Sequence, residues 1–217
     1  MQTGECLFTW EFPTAVKRVQ WSEDDTRFLA VTEERMGFKG LVRVFELNRD
    51  DLSKQSTQAQ FEIAPHRSKA TVAAWTALDE LIMTGHENGD VALWDTDEGM
   101  EFWEREEKSH ADTITDLQVS LDGTWAVTSS KDRTAKAWSI GPDPNPDSGS
   151  DDYLTLLKTF TAEAPLNSAS ILPGKPYVRL LPLSHSKLAL MHTHTGPDWR
   201  WSRSHVSHDD RRAPGPL

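Results

Sequence analysis

At 217 residues the chain can bury one large core or two small ones, and 37% hydrophobic with 26% charged residues fits a globular class. A net charge of −11 opposes a phosphate-tracking groove, because nucleic-acid affinity comes from Lys and Arg releasing counterions; no direct nucleic-acid binding is expected. The single cysteine, Cys6, leaves no internal disulfide, no stretch is apolar enough to span a bilayer, and MQTGECLFTWEF lacks a signal-peptide pattern, so a cytoplasmic protein without membrane contact is expected.

In chain order, TGECLFTWEF reads as the last strand of a preceding unit. AVKRVQWSEDDTRFLAVTEERMGFKGLVRVF follows as a loose repeat copy, with extra residues around Met36-Gly37, and QSTQAQ near 55–60 is a loop. The repeat is clearest in the next two copies. HRSKATVAAWTALDELIMTGHENGDVALW starts at His66 and HADTITDLQVSLDGTWAVTSSKDRTAKAW at His110, a period of 44 residues with no gap. Ala70, Ala73 and Trp75 match Ile114, Leu117 and Val119, and Trp94 matches Trp138, each 28 residues after its histidine. Trp21 matches Trp75 in the first copy, and Phe45 fills the Trp94 place.

GPDPNPDSGSDD, residues 141–152, is a loop insertion too rich in Pro, Gly and Asp for a strand interior, with the strand YLTLLKTF after it. APLNSASILPGKPYV opens a fourth copy, with Ile171 at the Val119 place, that stops near Val178. Residues 179–217 hold five of the eight His, show no blade spacing and carry a net +3 against −14 for the rest. The expected organisation is 1–178 as a partial propeller and 179–217 as a disordered tail foreign to the fold, the chain being truncated at both ends.

Each unit has four short alternating segments with Asn-Gly or Asp-Gly as hairpin signals, the signature of one β-propeller blade. The fold class expected is therefore all-β, an incomplete WD-repeat propeller of about three and a half blades. In such blades an indole, a hydroxyl, an imidazole and a carboxylate can form a buried hydrogen-bond chain. Indole N–H only donates and carboxylate only accepts, while hydroxyl and imidazole do both. Here the set is Trp138, Ser130 (or Thr128), His110 and Asp132; the preceding copy offers Trp94, Thr84 (or His86), His66 and Asn88, and is expected to be less firmly fastened. Trp21, Trp75, Trp94, Trp125 and Trp138 fall on strands as core or network residues, whereas Trp10 and Trp103 fall on outer strands.

Other constellations have plainer readings. Asp95, Asp97 and Gly99 faintly suggest a calcium loop, but position six, where an EF-hand needs Gly, is Met100, so a strand-to-strand turn is expected. His185, His192, His194, His205 and His208 lack the spacing and cysteines of a zinc site. Acidic neighbours such as Asp24-Asp25 point to opposite strand faces or sit in solvated turns, and no GxSxG, P-loop or GxGxxG occurs. Neither catalysis, a metal nor a cofactor is expected.

Five stretches, TGECLF, EERMGFKGLVRVFEL, MTGHENGDVALW, VTSSKDRTAKAW and above all TFTAEAPLNSASILPGKPYV, resemble in order the subunit i family of eukaryotic translation initiation factor 3, over residues 3–178. The resemblance implies a non-enzymatic, seven-bladed scaffold, docked on subunit b with subunit g nearby, that serves the small ribosomal subunit in 43S and 48S preinitiation assembly, mRNA recruitment and scanning. Arg179 onwards departs from the family. Asp132, Arg133 and Glu163 are expected near blade edges as partner-binding candidates, Asp132 being rather structural. The alternatives are another cytosolic WD-repeat adaptor, receptor-associated or G-protein-β-like, and a propeller enzyme built on clustered carboxylates.

Overall fold

The computed structural model describes residues 6–65, 68–76, 79–97, 99–104, 109–141, 153–172, 177–182, 189–193 and 199–203. Among these, sixteen strands form four antiparallel sheets, each a four-strand meander in chain order. The first is β1 (Val16–Trp21), β2 (Arg27–Thr32), β3 (Val42–Glu46) and β4 (Phe61–Ile63); the second is β5 (Ala70–Trp75), β6 (Leu81–His86), β7 (Val91–Asp95) and β8 (Glu101–Glu104). The third is β9 (Ile114–Val119), β10 (Trp125–Ser130), β11 (Thr134–Ile140) and β12 (Leu154–Thr161); the fourth is β13 (Leu166–Leu172), β14 (Tyr177–Pro182), β15 (Ala189–Thr193) and β16 (Trp199–Arg203).

Side chains alternate across a strand, so a sheet with apolar residues at both parities must be covered on both faces. That is what the core contains. Leu29, Val31, Val42, Val44 and Ile63 of the first sheet meet Ala73, Trp75, Ile82 and Trp94 of the second. The opposite parity of the second sheet, Val72, Ala74, Met83 and Leu93, meets Ile114, Leu117, Ala126 and Trp138 of the third. Val127, Ala135, Ala137 and Phe160 then meet Leu166, Ala169 and Leu180 of the fourth. β6 and β10 are sandwiched between neighbours, and every residue of β6 is buried. The first strands β1, β5, β9 and β13 touch in succession, the arrangement of propeller blades around an axis.

A bulge at the same place in each first strand joins the sheets. The register slips between Val16 and Arg18, Ala70 and Val72, Leu166 and Ser168, and on β9 between the partners of Ser130 and Ser129. The extra residue is Thr71 in β5 and Thr115 in β9. A bulge re-aims its side chain, and here it points the hydroxyl at the next sheet: Thr71 Oγ1 donates to the Ile114 carbonyl at 2.6 Å and Thr115 Oγ1 to the Leu166 carbonyl at 2.9 Å. The buried Asp79 carboxylate accepts the Glu23 N–H at 2.9 and 2.7 Å and the Asp24 N–H at 3.3 Å, tying the first two sheets at their turns. Asp116 on β9 pairs with Arg18 of β1 at 2.5 Å and accepts from Ser168 Oγ of β13 at 2.8 Å, joining three sheets.

Three expectations change. Residues 6–15 form no strand; Trp10 and Phe12 instead pack on Phe28, Ala30 and Phe45 of the first sheet. Trp21 is half exposed rather than buried, since among the described residues no sheet lies on the outer side of β1. A structureless stretch beginning at 179 is not what the described residues show: β14 crosses that boundary, β15 and β16 continue the sheet, and Leu180 is buried against the third sheet. The masking neighbour for Leu180 comes from β10 and β12, which the repeat pattern of the tail itself did not reveal. The other residues expected to be disordered, including His185, His194, His205 and His208, lie outside the described ones, as does the insertion at 142–152. Because the Thr115 hydroxyl is one of the polar links of the third sheet to the fourth, Thr115→Val is expected to lower unfolding stability by about 1–2 kcal/mol, read from urea denaturation, while Thr113→Val, in the loop before β9, changes it by less than about 0.5 kcal/mol.

Candidate functional site

The third sheet holds the buried chain that its residue types require. Trp138 Nε1–H on β11 donates to Thr128 Oγ1 on β10 at 2.9 Å, and Thr128 Oγ1 lies 2.7 Å from His110 Nε2. His110 Nδ1 is 3.0 Å from Asp132 Oδ2. Direction follows by elimination. The indole can only donate, so Thr128 accepts from it and passes its own proton to Nε2; the imidazole is then neutral with Nδ1–H aimed at Asp132. Asp132 also accepts the Ala111 N–H at 3.0 Å, the Thr134 N–H at 2.7 Å and the Thr134 hydroxyl at 2.6 Å.

The hydroxyl in this chain is therefore Thr128, not Ser130. Both sit on the same side of β10, but Ser130 lies one step nearer the turn, where its Oγ donates to the Asp112 carbonyl at 2.9 Å and accepts the Asp132 N–H at 3.1 Å. Ser130 positions the turn, and Thr128 carries the chain.

The second sheet reaches the same end differently. Trp94 Nε1–H donates to Thr84 Oγ1 at 2.8 Å, and Thr84 Oγ1 lies 2.8 Å from Nε2 of His86, two residues along β6. His86 Nδ1–H ends on the Ser68 carbonyl at 3.1 Å. His86 stands 44 residues before Ser130, and Ser68 the same distance before Asp112, so the imidazole replaces a serine bond to the equivalent carbonyl and supplies the acceptor for Thr84 as well. Asn88, at the place of Asp132, is not in the chain: its N–H donates to Ser68 Oγ at 3.1 Å and its side chain pairs with Asp90. His66 lies outside the described residues. The cue for His86 was its spacing from Thr84, identical to that of Ser130 from Thr128.

The two networks abut. His110 N–H donates to the Gly89 carbonyl at 2.9 Å, and Gly89 has φ +92°. A Cβ there would fall 2.2 Å from the His110 carbonyl oxygen, so the Asn88-Gly89 turn needs glycine for a close approach as well as for its backbone. The matching residue one period on, Arg133, adopts φ 71° with a full side chain, which the turn holds out into solvent. The Arg133 carbonyl accepts the Ala162 N–H at 2.7 Å, so Arg133 and exposed Glu163 are neighbours on one rim. Asp95, Asp97 and Gly99 form the β7–β8 turn, where Asp97 N–H donates to Asp95 Oδ1.

Burial pushes the His110 imidazole down from its ordinary pKa, outweighing the pull of Asp132, and burial likewise pushes His86 down against the Ser68 carbonyl, Asp90 and Glu101. Burial pushes Asp132 up, but hydrogen bonds from His110, Thr134 and the Ala111 N–H outweigh it and hold the carboxyl well below its usual range. Neutral imidazoles and an ionised Asp132 are the states that the chain geometry requires.

Four meandering sheets joined face to face, with an indole–hydroxyl–imidazole lock in two of them, define a WD-repeat β-propeller. Residues 104–139 match the model of the WD domain, G-beta repeat. The β-propeller domain of Cps50 (Swd1) from Myceliophteria thermophila superposes with a TM-score of 0.65 at 15% identity, covering 88% of this chain and 59% of that one, a likeness of fold alone. Curated relatives named eukaryotic translation initiation factor 3 subunit I are 46% identical in Mycosarcoma maydis (81% of this chain, 50% of the relative), 42% in Aspergillus oryzae (83% and 50%) and 41% in Schizosaccharomyces pombe (83% and 52%). The chain belongs to the family of eukaryotic translation initiation factor 3 subunit I, and it spans about half the length of those relatives.

Two outcomes test the network. Thr128→Val leaves both the indole N–H and the imidazole without their partner and is expected to cost about 2 kcal/mol or more, with strong coupling to Trp138→Phe in a double-mutant cycle. The pH dependence has a defined sign. Histidines of lowered native pKa stay neutral when the unfolded chain, near 6.5, takes up protons, so stability is full above that pH and is lost as pH falls below it toward the native values. Urea midpoints should fall on acidification below 6.5, and less steeply for His86→Gln; below 3.8 the loss continues as Asp132 gives up its own advantage.

Proposed function

We propose that the chain is a non-catalytic scaffold of eukaryotic translation initiation factor 3 in the cytoplasm. It holds segments of subunits b and g, and through the complex serves the small ribosomal subunit in 43S and 48S preinitiation assembly, mRNA recruitment and scanning. The observation that carries this reading is the 41–46% identity to curated relatives named as that factor's subunit I. The physics is compatible with it. The indoles, hydroxyls and imidazoles of the two locks are committed to one another, so recognition falls to turns and rims held in place by the locks. Among the described residues, no helix is long and apolar enough to cross a membrane. The net charge of −11 favours a basic protein segment as the bound element.

On this reading Arg133 and Glu163 contact the partner from their shared rim, and Asp132 acts from below by fixing the turn. The test is capture of recombinant initiation factor 3 subunit b by the immobilised chain. Glu163→Lys reverses a rim charge that would meet a basic segment, so it should weaken capture by about threefold or more with melting unchanged. Capture of subunit b by a longer relative but not by this chain defeats the proposal.

A further inference from the structure

Residues 33–41 separate β2 from β3, where the second and third sheets use only 87–90 and 131–133 for the same turn. The extra length forms a two-residue hairpin. Arg35 N–H donates to the Phe38 carbonyl at 3.1 Å and Phe38 N–H to the Arg35 carbonyl at 3.0 Å, around Met36 and Gly37. Its base is fixed. A Cβ on Gly40 would fall 2.9 Å from the Thr32 carbonyl oxygen and 3.1 Å from Glu34 N, so glycine lets the returning arm press on the outgoing one. Glu34 pairs with Lys69 in the loop before β5 at 3.4 Å, and Lys69 pairs with Glu87 of the β6–β7 turn at 3.4 Å, tying the hairpin to the second sheet.

The tip carries the wrong residue for its backbone. φ is +52° at Met36 and +85° at Gly37, the two positive angles of a type I′ turn, which Asn-Gly or Asp-Gly meets with least strain. Asp25 and Asp79, also at positive φ, are of that tolerant kind; a long apolar side chain is not. Yet Met36 is 88% exposed, so packing within the chain does not offset the strain. Phe38 beside it is 53% exposed. Arg35 and Lys39 flank the pair, both exposed, and among the described residues neither makes an ion pair. Glu33 and Glu34 at the base are matched by Lys17 and Lys69. The tip is thus apolar and cationic on a chain of net charge −11.

We propose that the hairpin of residues 35–39 docks an acidic protein segment with an apolar anchor. Met36 and Phe38 cover the anchor, Met adapting its shape to it, and Arg35 and Lys39 meet the flanking carboxylates. Strain at an exposed position is repaid when a partner buries the side chain held there. Charge selects the partner. Two cations above Glu33, Glu34 and Glu87 suit a short acidic peptide, whereas a phosphate backbone needs a longer basic track and would meet those carboxylates. The site is separate from the Arg133–Glu163 rim, and its partner has the opposite sign, so it stands whether or not that rim binds a basic segment.

The probe is a fluorescein-labelled peptide, Asp-Glu-Leu-Phe-Glu-Asp, titrated with the whole 217-residue chain and read by anisotropy, with an expected Kd of about 10–100 µM. Replacing its acids by Lys, or its Leu-Phe by Ser-Ser, should weaken binding about tenfold or more. Met36→Asn suits the turn better, so melting should be unchanged or raised while affinity falls about tenfold; a purely structural Met36 would leave affinity unchanged. Arg35→Ser combined with Lys39→Ser should cost about tenfold and flatten the salt dependence. Leu121→Ser, on the exposed β9–β10 turn, should change nothing. No binding at about 1 mM peptide, binding indifferent to Met36→Asn or to the double substitution, or tighter binding of single-stranded oligouridylate than of the peptide overturns the proposal.

Discussion

Among the described residues, the first three sheets are apolar on both faces, and none of them can be stable by itself. That constraint sets the architecture. Strand alternation sends Leu29 one way and Phe28 the other, Met83 one way and Thr84 the other, so each blade must be held between two neighbours. Burying a single Leu or Ile side chain contributes about 1.5–3 kcal/mol, and each inter-blade layer holds several, so the layers outweigh any one polar contact. Stability therefore resides in interfaces between repeats more than in the repeats, which makes the protein nearly one-dimensional in its energetics. On the first sheet Trp10 and Phe12 fold over Phe28 and Phe45, with Trp10 Nε1–H donating to the Ser56 carbonyl.

Polar groups enter these layers only where their accounts close. The tryptophans at 94 and 138 bring an N–H into a dry interface, and a buried donor without an acceptor costs about 1–3 kcal/mol. Both blades meet that need with a threonine two rungs away and an imidazole beyond it, yet the imidazole comes from the loop before the blade in one and from the second strand in the other. The terminal acceptor changes with it, from the Asp132 carboxylate to the Ser68 carbonyl. Chemistry fixes the order of donors and acceptors; it leaves open which chain position supplies each. The first blade avoids the requirement altogether, with Phe45 stacked on Phe28 at 5.0 Å where the second and third place an indole.

The period of 44 residues made the blade order, the turns at Asn88-Gly89 and Asp132-Arg133, and the roles of Trp94, Trp138, His110 and Asp132 readable from the residue string. What stayed hidden has physical causes. Thr128 and Ser130 share a strand face, and only the diagonal reach of Trp138 across β10 selects the first. His86 escaped as a lock residue because the carbonyl it satisfies belongs to a neighbouring strand. The exposure of Trp21 is decided by what lies beside its strand among the described residues, since the strand itself matches β5 in spacing and bulge. β14–β16 carry no Asn-Gly or Asp-Gly turn, so nothing local announces them; Leu180 is buried because the third sheet offers Val127 and Phe160 to cover it.

The lock in the third blade and the outward face of its turn are one piece of backbone. Asp132 is held by four donors from below, and the next residue, Arg133, is driven into a left-handed conformation that a glycine adopts freely one period earlier. A non-glycine residue held there costs about 1–3 kcal/mol. The surrounding bonds offset that cost, and the result is an exposed Arg133 on the rim near Glu163. The interior network thereby fixes the backbone from which that side chain projects. In the second blade the equivalent position is Gly89, which presents no side chain, although its lock is complete. Adjacent blades with equivalent interiors thus differ at their rims, which is how a repeat architecture gains a directional surface without altering its core.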